Sequence, residues 1–361
     1  MVEGASMRIK TVIAGISIVL ALAGCAVPDD LDSIPSDNPK QEIQLGKLPP
    51  NEYVPKMSEK FNTPWPTNVS RAELVNSALH NAFTFFDSNR SPDCKVIPRV
   101  HSGESILEEH RPLLQKVSDE MVFTFCNYLK NDFDVIGGSY DFVEETISTK
   151  KIKTDFYRGC QRPENDWAMA CVHDGVAWIG ISLGSSHQGK SFVEERRLTI
   201  AAHEIFHLIH DQIDPDAGGE IPPRDHYRLP FRPMWLIEGG GEFFGRLMPY
   251  YFGMIGHYST WTPTDRSGLF ISKEYLSNLE LMEVRRSAAD GFENYYSGNL
   301  AMEYLVASIG MKSVLDIWVN MGEGQSFEKA FRNASGIELA EFYEKFRQMH
   351  NNLYEGELVT N

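Results

Sequence analysis

The sequence contains no CxxC pair, no stripe of basic residues, no internal repeat and no low-complexity tract. Each absence removes a class of protein. Without a CxxC pair, a zinc site made of cysteine thiolates has no support. Lys and Arg number 34 against 50 Asp and Glu, a formal net charge of −16, and they are scattered along the chain. No nucleic-acid partner is expected, because such binding rests on gathered cations that neutralise phosphates. A hydrophobic content of 42% over 361 residues excludes a disordered chain and suffices for one large domain, or two small ones, with a proper core.

Long apolar stretches are also scarce. The run Thr11–Ala23 falls short of the roughly 20 residues of a membrane span and has the length of a signal-peptide core. Arg8 and Lys10 precede it, and Leu22-Ala23-Gly24-Cys25 ends it. That ending resembles the bacterial lipobox, which implies that residues 1–24 are a signal peptide and that Cys25 becomes a lipidated N-terminus. Ala26, not aspartate, follows the cysteine, which implies an outer-membrane lipoprotein facing the periplasm. Residues 25–68, rich in Pro, Asp, Asn and Lys, are expected as a flexible tether from the lipid. The remaining cysteines, Cys94, Cys126, Cys160 and Cys171, are expected as two disulfides in an exported protein. Three connectivities are open, with Cys160–Cys171 the easiest loop to close.

What the chain does contain is helical periodicity. Ser70 with Glu73 is a capping-box start, and apolar positions at helical spacing follow it in "SRAELVNSALHNAFTFF". A second helical pattern covers about Leu107–Leu129. The stretch "GVAWIGISLG", Gly175–Gly184, alternates and is rich in β-branched and aromatic residues, so a strand is predicted there. A helix follows over about Phe192–Gln212, then a loop rich in Pro and Gly, then a helix from Met234 to about Met254. Beyond Gly268 the pattern reads as several more helices.

Chemistry concentrates in "LTIAAHEIFHLIHDQ", Leu198–Gln212. On a helix, His203 and His207 lie one turn apart on one face, so two imidazole nitrogens can reach one ion. Glu204 sits at the edge of that face, where its carboxylate can bond a water at the metal without ligating the metal itself. This is the HExxH arrangement of zinc hydrolases. The alternative is a structural helix with core histidines, but burying two histidines and a glutamate without partners costs several kcal/mol, which a metal removes.

A catalytic zinc needs a third protein ligand, and "MWLIEGGGEFF" offers Glu238. Trp-Leu-x-Glu-Gly-x-x-Glu with an aromatic following resembles the glutamate helix of the gluzincins, among them the aminopeptidase N-like enzymes. The resemblance makes Glu238 the third ligand and Glu242, one turn on, a carboxylate that orients a ligand histidine. In "ENYYSGNLAMEYL" the family's tyrosine, three residues before a glycine at a helix start, falls on Tyr295 with Gly298; Tyr296 is the alternative. That tyrosine donates to the oxyanion. The metzincin pattern is excluded, because His210 and Ile213 stand where it needs glycine and histidine. His210 is therefore expected to support a ligand or to pack in the core.

The resemblance covers about Gly175–Met349, including a helical C-terminal region. The chain departs from it in a longer gap between His207 and Glu238, in Ile237 where those enzymes have asparagine, and in lacking a GAMEN-type motif. Aminopeptidase activity is therefore not carried over. What the resemblance implies is an α+β fold, with a zincin-like core whose small sheet lies over the HExxH helix and a mainly helical C-terminal half. Residues 69–190 would form the N-terminal α+β part and 191–350 the zinc-binding and C-terminal helices. It implies one Zn²⁺ per chain, a peptide or protein substrate, and the strand Gly175–Gly184 pairing with an extended peptide at the edge of the cleft. A zinc-bound, non-catalytic scaffold lipoprotein is the alternative, suggested by the glycines at 239–241, each of which costs a helix about 1 kcal/mol.

Overall fold

A computed structural model describes residues 61, 64–102, 111–140, 170–173, 176–182, 190–215, 232–258, 273–283 and 291–360. The expected signal peptide, Cys25 and most of the tether lie outside these residues. The packed body reaches back into the expected tether, however. Trp65 is buried, edge-on to Tyr304 and Phe342 at 5.7 and 5.6 Å, and Asn352 donates to the carbonyl of Thr67 at 2.9 Å.

Helix α1, Arg71–Asn89, starts at the expected capping box: the Glu73 amide donates to Ser70 Oγ and the Ser70 amide to Glu73 Oε2. Its buried stripe of Leu74, Ala78, Ala82 and Phe86 has helical spacing. Strand β1, Pro98–Ser102, and helix α2, Arg111–Phe125, come next, followed by a short 3-10 turn, Cys126–Tyr128. A disulfide joins Cys94, ahead of β1, to Cys126 in that turn, with Cα atoms 5.6 Å apart. Closing a loop of this length stabilises the fold by roughly 3–4 kcal/mol in the chain-entropy account. Cys160 and the Cys171 side chain, and so the other expected pairing, lie outside the described residues.

Strands β2, Phe133–Tyr140, β3, Ala170–His173, and β4, Val176–Ser182, complete a four-stranded sheet in the order β1-β2-β4-β3. The first three of that order are parallel, and β3 runs antiparallel to β4. The strand expected over Gly175–Gly184 is present as β4, but it is not an edge. It is hydrogen-bonded to β2 along its length and to β3 over Val176–Ile179, so an added peptide cannot pair with it along that stretch. The four-residue β3 takes the outer position, and a strand that short carries no readable alternation. Val100, Val135, Ala177 and Ile179 are buried in the core, where α2 and the helix after β4 pack on the sheet.

That helix, α3, is Lys190–Ile213. Helix α4, Met234–Tyr251, and the short α5, Lys273–Leu276, lead to α6, Gly291–Ile309. Helices α7, Met311–Gly322, α8, Phe327–Ser335, and α9, Leu339–Thr360, follow. The architecture is α+β, and among the described residues the sheet lies within residues 98–182. Among the described residues no helix is long and apolar enough to cross a membrane.

Beside its histidines, α3 is anchored by aromatic packing. Phe206 stacks on Phe244 of α4 with ring centroids 3.9 Å apart, and meets Phe125 and Trp318 edge-on at 6.0 and 5.4 Å. A buried phenylalanine contributes about 1.5–3 kcal/mol, and good ring geometry adds up to about 1.5 more. Held this way against α4, α3 presents His203 and His207 towards Glu238 of that helix.

Candidate metal centre

His203 and His207 on α3 and Glu238 on α4 bring one ligating atom each into a single cluster. The two Nε2 atoms are 2.9 Å apart, and each is 3.6 Å from Glu238 Oε2. Two imidazole lone pairs at that separation repel unless a proton or a metal ion lies between them. A point equidistant from the three atoms is about 2.0 Å from each, which is the length of a zinc bond to histidine or carboxylate. The donor set, two imidazoles and one carboxylate, is that of catalytic zinc sites. The residues therefore fit the ion that the sequence implies.

The glycines of α4 make this proximity possible. A Cβ at Gly241 would stand 2.7 Å from His203 Nε2 and 2.9 Å from His207 Nε2, and one at Gly245 would stand 2.7 Å from the Thr199 carbonyl. Gly241 and Gly245 thus let α4 approach α3. Gly239 lies instead against Gly298 of α6, and Gly240 against Trp318 and Phe206. Gly240 and Gly241 thus both face the HExxH helix, while Gly239 seats α6 and Gly240 also seats α7 on α4.

The electrostatics favour a cation. His203 is fully buried, which opposes charge, but the carboxylates of Glu238 and Glu242 beside it, with Glu204 near, outweigh burial and push its pKa up to about 10. Glu238, although burial works against its charge, is held well below the usual carboxylate range by His203 and His207. Glu242 lies on the far side of His203, with Oε2 3.7 Å from Nδ1, and its other oxygen accepts from Arg246 Nε at 2.6 Å. A carboxylate so placed can set the orientation of His203.

Glu204 is buried next to His203 and is not one of the three ligating residues. The Tyr295 ring is 5.7 Å from the His203 ring, whereas Tyr296 is buried with its ring 6.3 Å from His350. Neighbouring helical residues point about 100° apart, and Tyr295 is the one at the centre. His210, open to two roles in the sequence, packs between aromatic rings: its ring is 6.3 Å from Phe206 and 5.3 Å from Trp318. Burial, with His207 and Arg232 close by, pushes it down to about 3, so it is neutral.

Sequence reasoning missed Arg246, whose i,i+4 spacing from Glu242 was a usable signal. It also missed Gly245, which no local pattern marks out. Comparison with protein families, with characterised proteins and with solved structures finds no match to this chain.

Proposed function

We propose that the protein is a zinc-dependent peptidase of the gluzincin type, with a zincin-like core, held at the cell envelope by a lipid on Cys25. The observation that carries this reading is the triangle of His203, His207 and Glu238 donor atoms, equidistant at about 2.0 Å from one point. Those three residues hold Zn²⁺. When bound, the ion supplies Lewis acidity and makes water a nucleophile near neutral pH.

Glu204, beside the ligands and not among them, takes the proton of the attacking water and passes it to the leaving amine. Tyr295, whose ring is 5.7 Å from that of His203, donates its phenolic O–H to the carbonyl oxygen as negative charge develops there. Glu242, braced by Arg246, keeps the His203 ring aimed. The α4 glycines, which suggested a remodelled scaffold, are accounted for by helix contacts, so no observation favours the non-catalytic alternative.

The test is zinc content and cleavage measured together. Wild type should hold one zinc per chain and cleave members of a peptide or protein library. The Glu204→Gln variant should keep its zinc and lose hydrolysis by about 10²- to 10⁴-fold. Zinc without cleavage in the wild type returns the scaffold reading, and absence of zinc ends both.

A further inference from the structure

The positions of the three ligands depend on how the end of α3 is held against the start of α4, and one ion pair joins those two points. Asp214, immediately after α3, and Arg232, two residues before α4, are 18 residues apart in sequence. Arg232 Nε donates to Asp214 Oδ2 at 2.5 Å and Nη2 to Oδ1 at 2.7 Å, a two-pronged pair whose side chains are 8% exposed for Arg232 and 0% for Asp214. We infer that this Asp214–Arg232 clasp positions Glu238 for the metal, an inference that rests on the metal-site reading above.

Three observations carry it. First, Asp214 is in an awkward place on its own: its amide caps the His210 carbonyl at the negative end of the α3 dipole, where a carboxylate is disfavoured. Its burial there is explained by the guanidinium. Second, each end of the clasp is seated on a different neighbour, and the pair ties the two together. The α3 end presses on α7, where a Cβ on Gly322 would come within 2.2 Å of the Ile213 carbonyl. The Met234 amide donates to the Glu283 carbonyl at 3.0 Å, and Trp235 Nε1 donates to Tyr343 Oη, which donates to Glu283. The clasp therefore transmits a fixed position from one ligand helix to the other. Third, the long gap from His207 to Glu238 leaves chain connectivity a weak guide to where Glu238 falls, since loop closure constrains less as loops lengthen. A paired fork with defined geometry replaces that guide.

Arg232 and Asp214 touch neither metal nor substrate, so they are positioning residues. The experiment measures zinc affinity by competition with a chromophoric chelator in wild type, Arg232→Gln, Arg232→Lys and Glu303→Gln. Glu303 forms the buried pair with Arg71, and its loss supplies a comparable structural insult away from the ligands. If the unclasped protein has Glu238 in place about a tenth of the time, its zinc Kd rises about tenfold. The expected result is that rise for Arg232→Gln, a smaller rise for Arg232→Lys, and none for Glu303→Gln. An Arg232→Gln affinity within about twofold of wild type overturns the clasp, as does an equal loss in Glu303→Gln. Should Arg232→Gln not fold, the contrast of Arg232→Lys with Glu303→Gln decides in the same way. A wild type that binds no zinc defeats the metal reading and the clasp with it, and shows this in the wild-type sample alone.

Discussion

Two buried clusters of charge share helix α6, one beside Tyr295 and the other around Glu303, about 12 Å along the helix. The second is built around one buried acid. Glu303, 0% exposed, pairs with Arg71 at 2.5 Å and accepts from Tyr258 at 2.8 Å and from Asn299 at 3.2 Å. Burial and the neighbouring Glu303 hold the Tyr258 phenol well above its usual range, so it is a neutral donor. Arg71 pairs with that anion, and Arg246 of the first cluster lies near enough to Tyr258 to act on it. Around His203 the count differs: three carboxylates, Glu204, Glu238 and Glu242, accompany one guanidinium, Arg246. That surplus explains why His203 favours a proton so strongly, and a divalent ion would offset it in full. Its acid is also more open: the Glu238 side chain is 17% exposed against 0% for Glu303. A balanced pair needs no further ligand, whereas a surplus of buried carboxylates is what a bound cation would neutralise.

The sharpest way to break the contrast is to spoil the balanced cluster. The Glu303→Gln variant strands the Arg71 charge in the interior and should cost about 3–5 kcal/mol in chemical denaturation, with zinc content unchanged. If it loses zinc, the two clusters are one unit and the contrast fails. Zinc removal acts on the other cluster. Stripping the ion with a chelator should lower stability by about 2.7 kcal/mol relative to protein held at free zinc a hundredfold above its Kd. The same chelator should leave the stability of a His207→Ala variant unmoved, because one ligand is gone; an equal shift in both proteins would place the ion elsewhere. The smallest effect is expected from Gly245→Ala, whose methyl meets the Thr199 carbonyl at 2.7 Å and must push α4 off α3. Overpacking of that kind costs about 1–3 kcal/mol, and zinc affinity should fall with it. A gain in stability, as alanine normally gives in a helix interior, would show that the helices have room to spare.

Much of the centre was legible in the chain because local spacing carries it. His203 and His207 face the same way on any α-helix, and the Ser70–Glu73 box is a contact between residues three apart. The strand at Val176–Ser182 was also legible from its alternation, but its place inside the sheet was not, since pairing partners are a property of the sheet and not of the strand. The tether offers a similar lesson. Trp65 sits in a Pro-rich stretch with no periodicity, and only its contacts with Tyr304 and Phe342, far along the chain, make it core.

By itself, then, the sequence determined which residues have metal-binding chemistry, the face of α3 that bears two of them, and the motif that nominates Glu238. Whether Glu238 stands 3.6 Å from both histidines was decided by the tertiary structure. So were the choice of Tyr295 over Tyr296, the turning of His210 into the aromatic core, and the partners of Gly239 and Gly241. The physical reason is range. Helical geometry relates residues three or four apart without help, whereas the approach of α4 to α3 depends on missing side chains, stacked rings and a buried ion pair contributed by residues with no regular spacing between them.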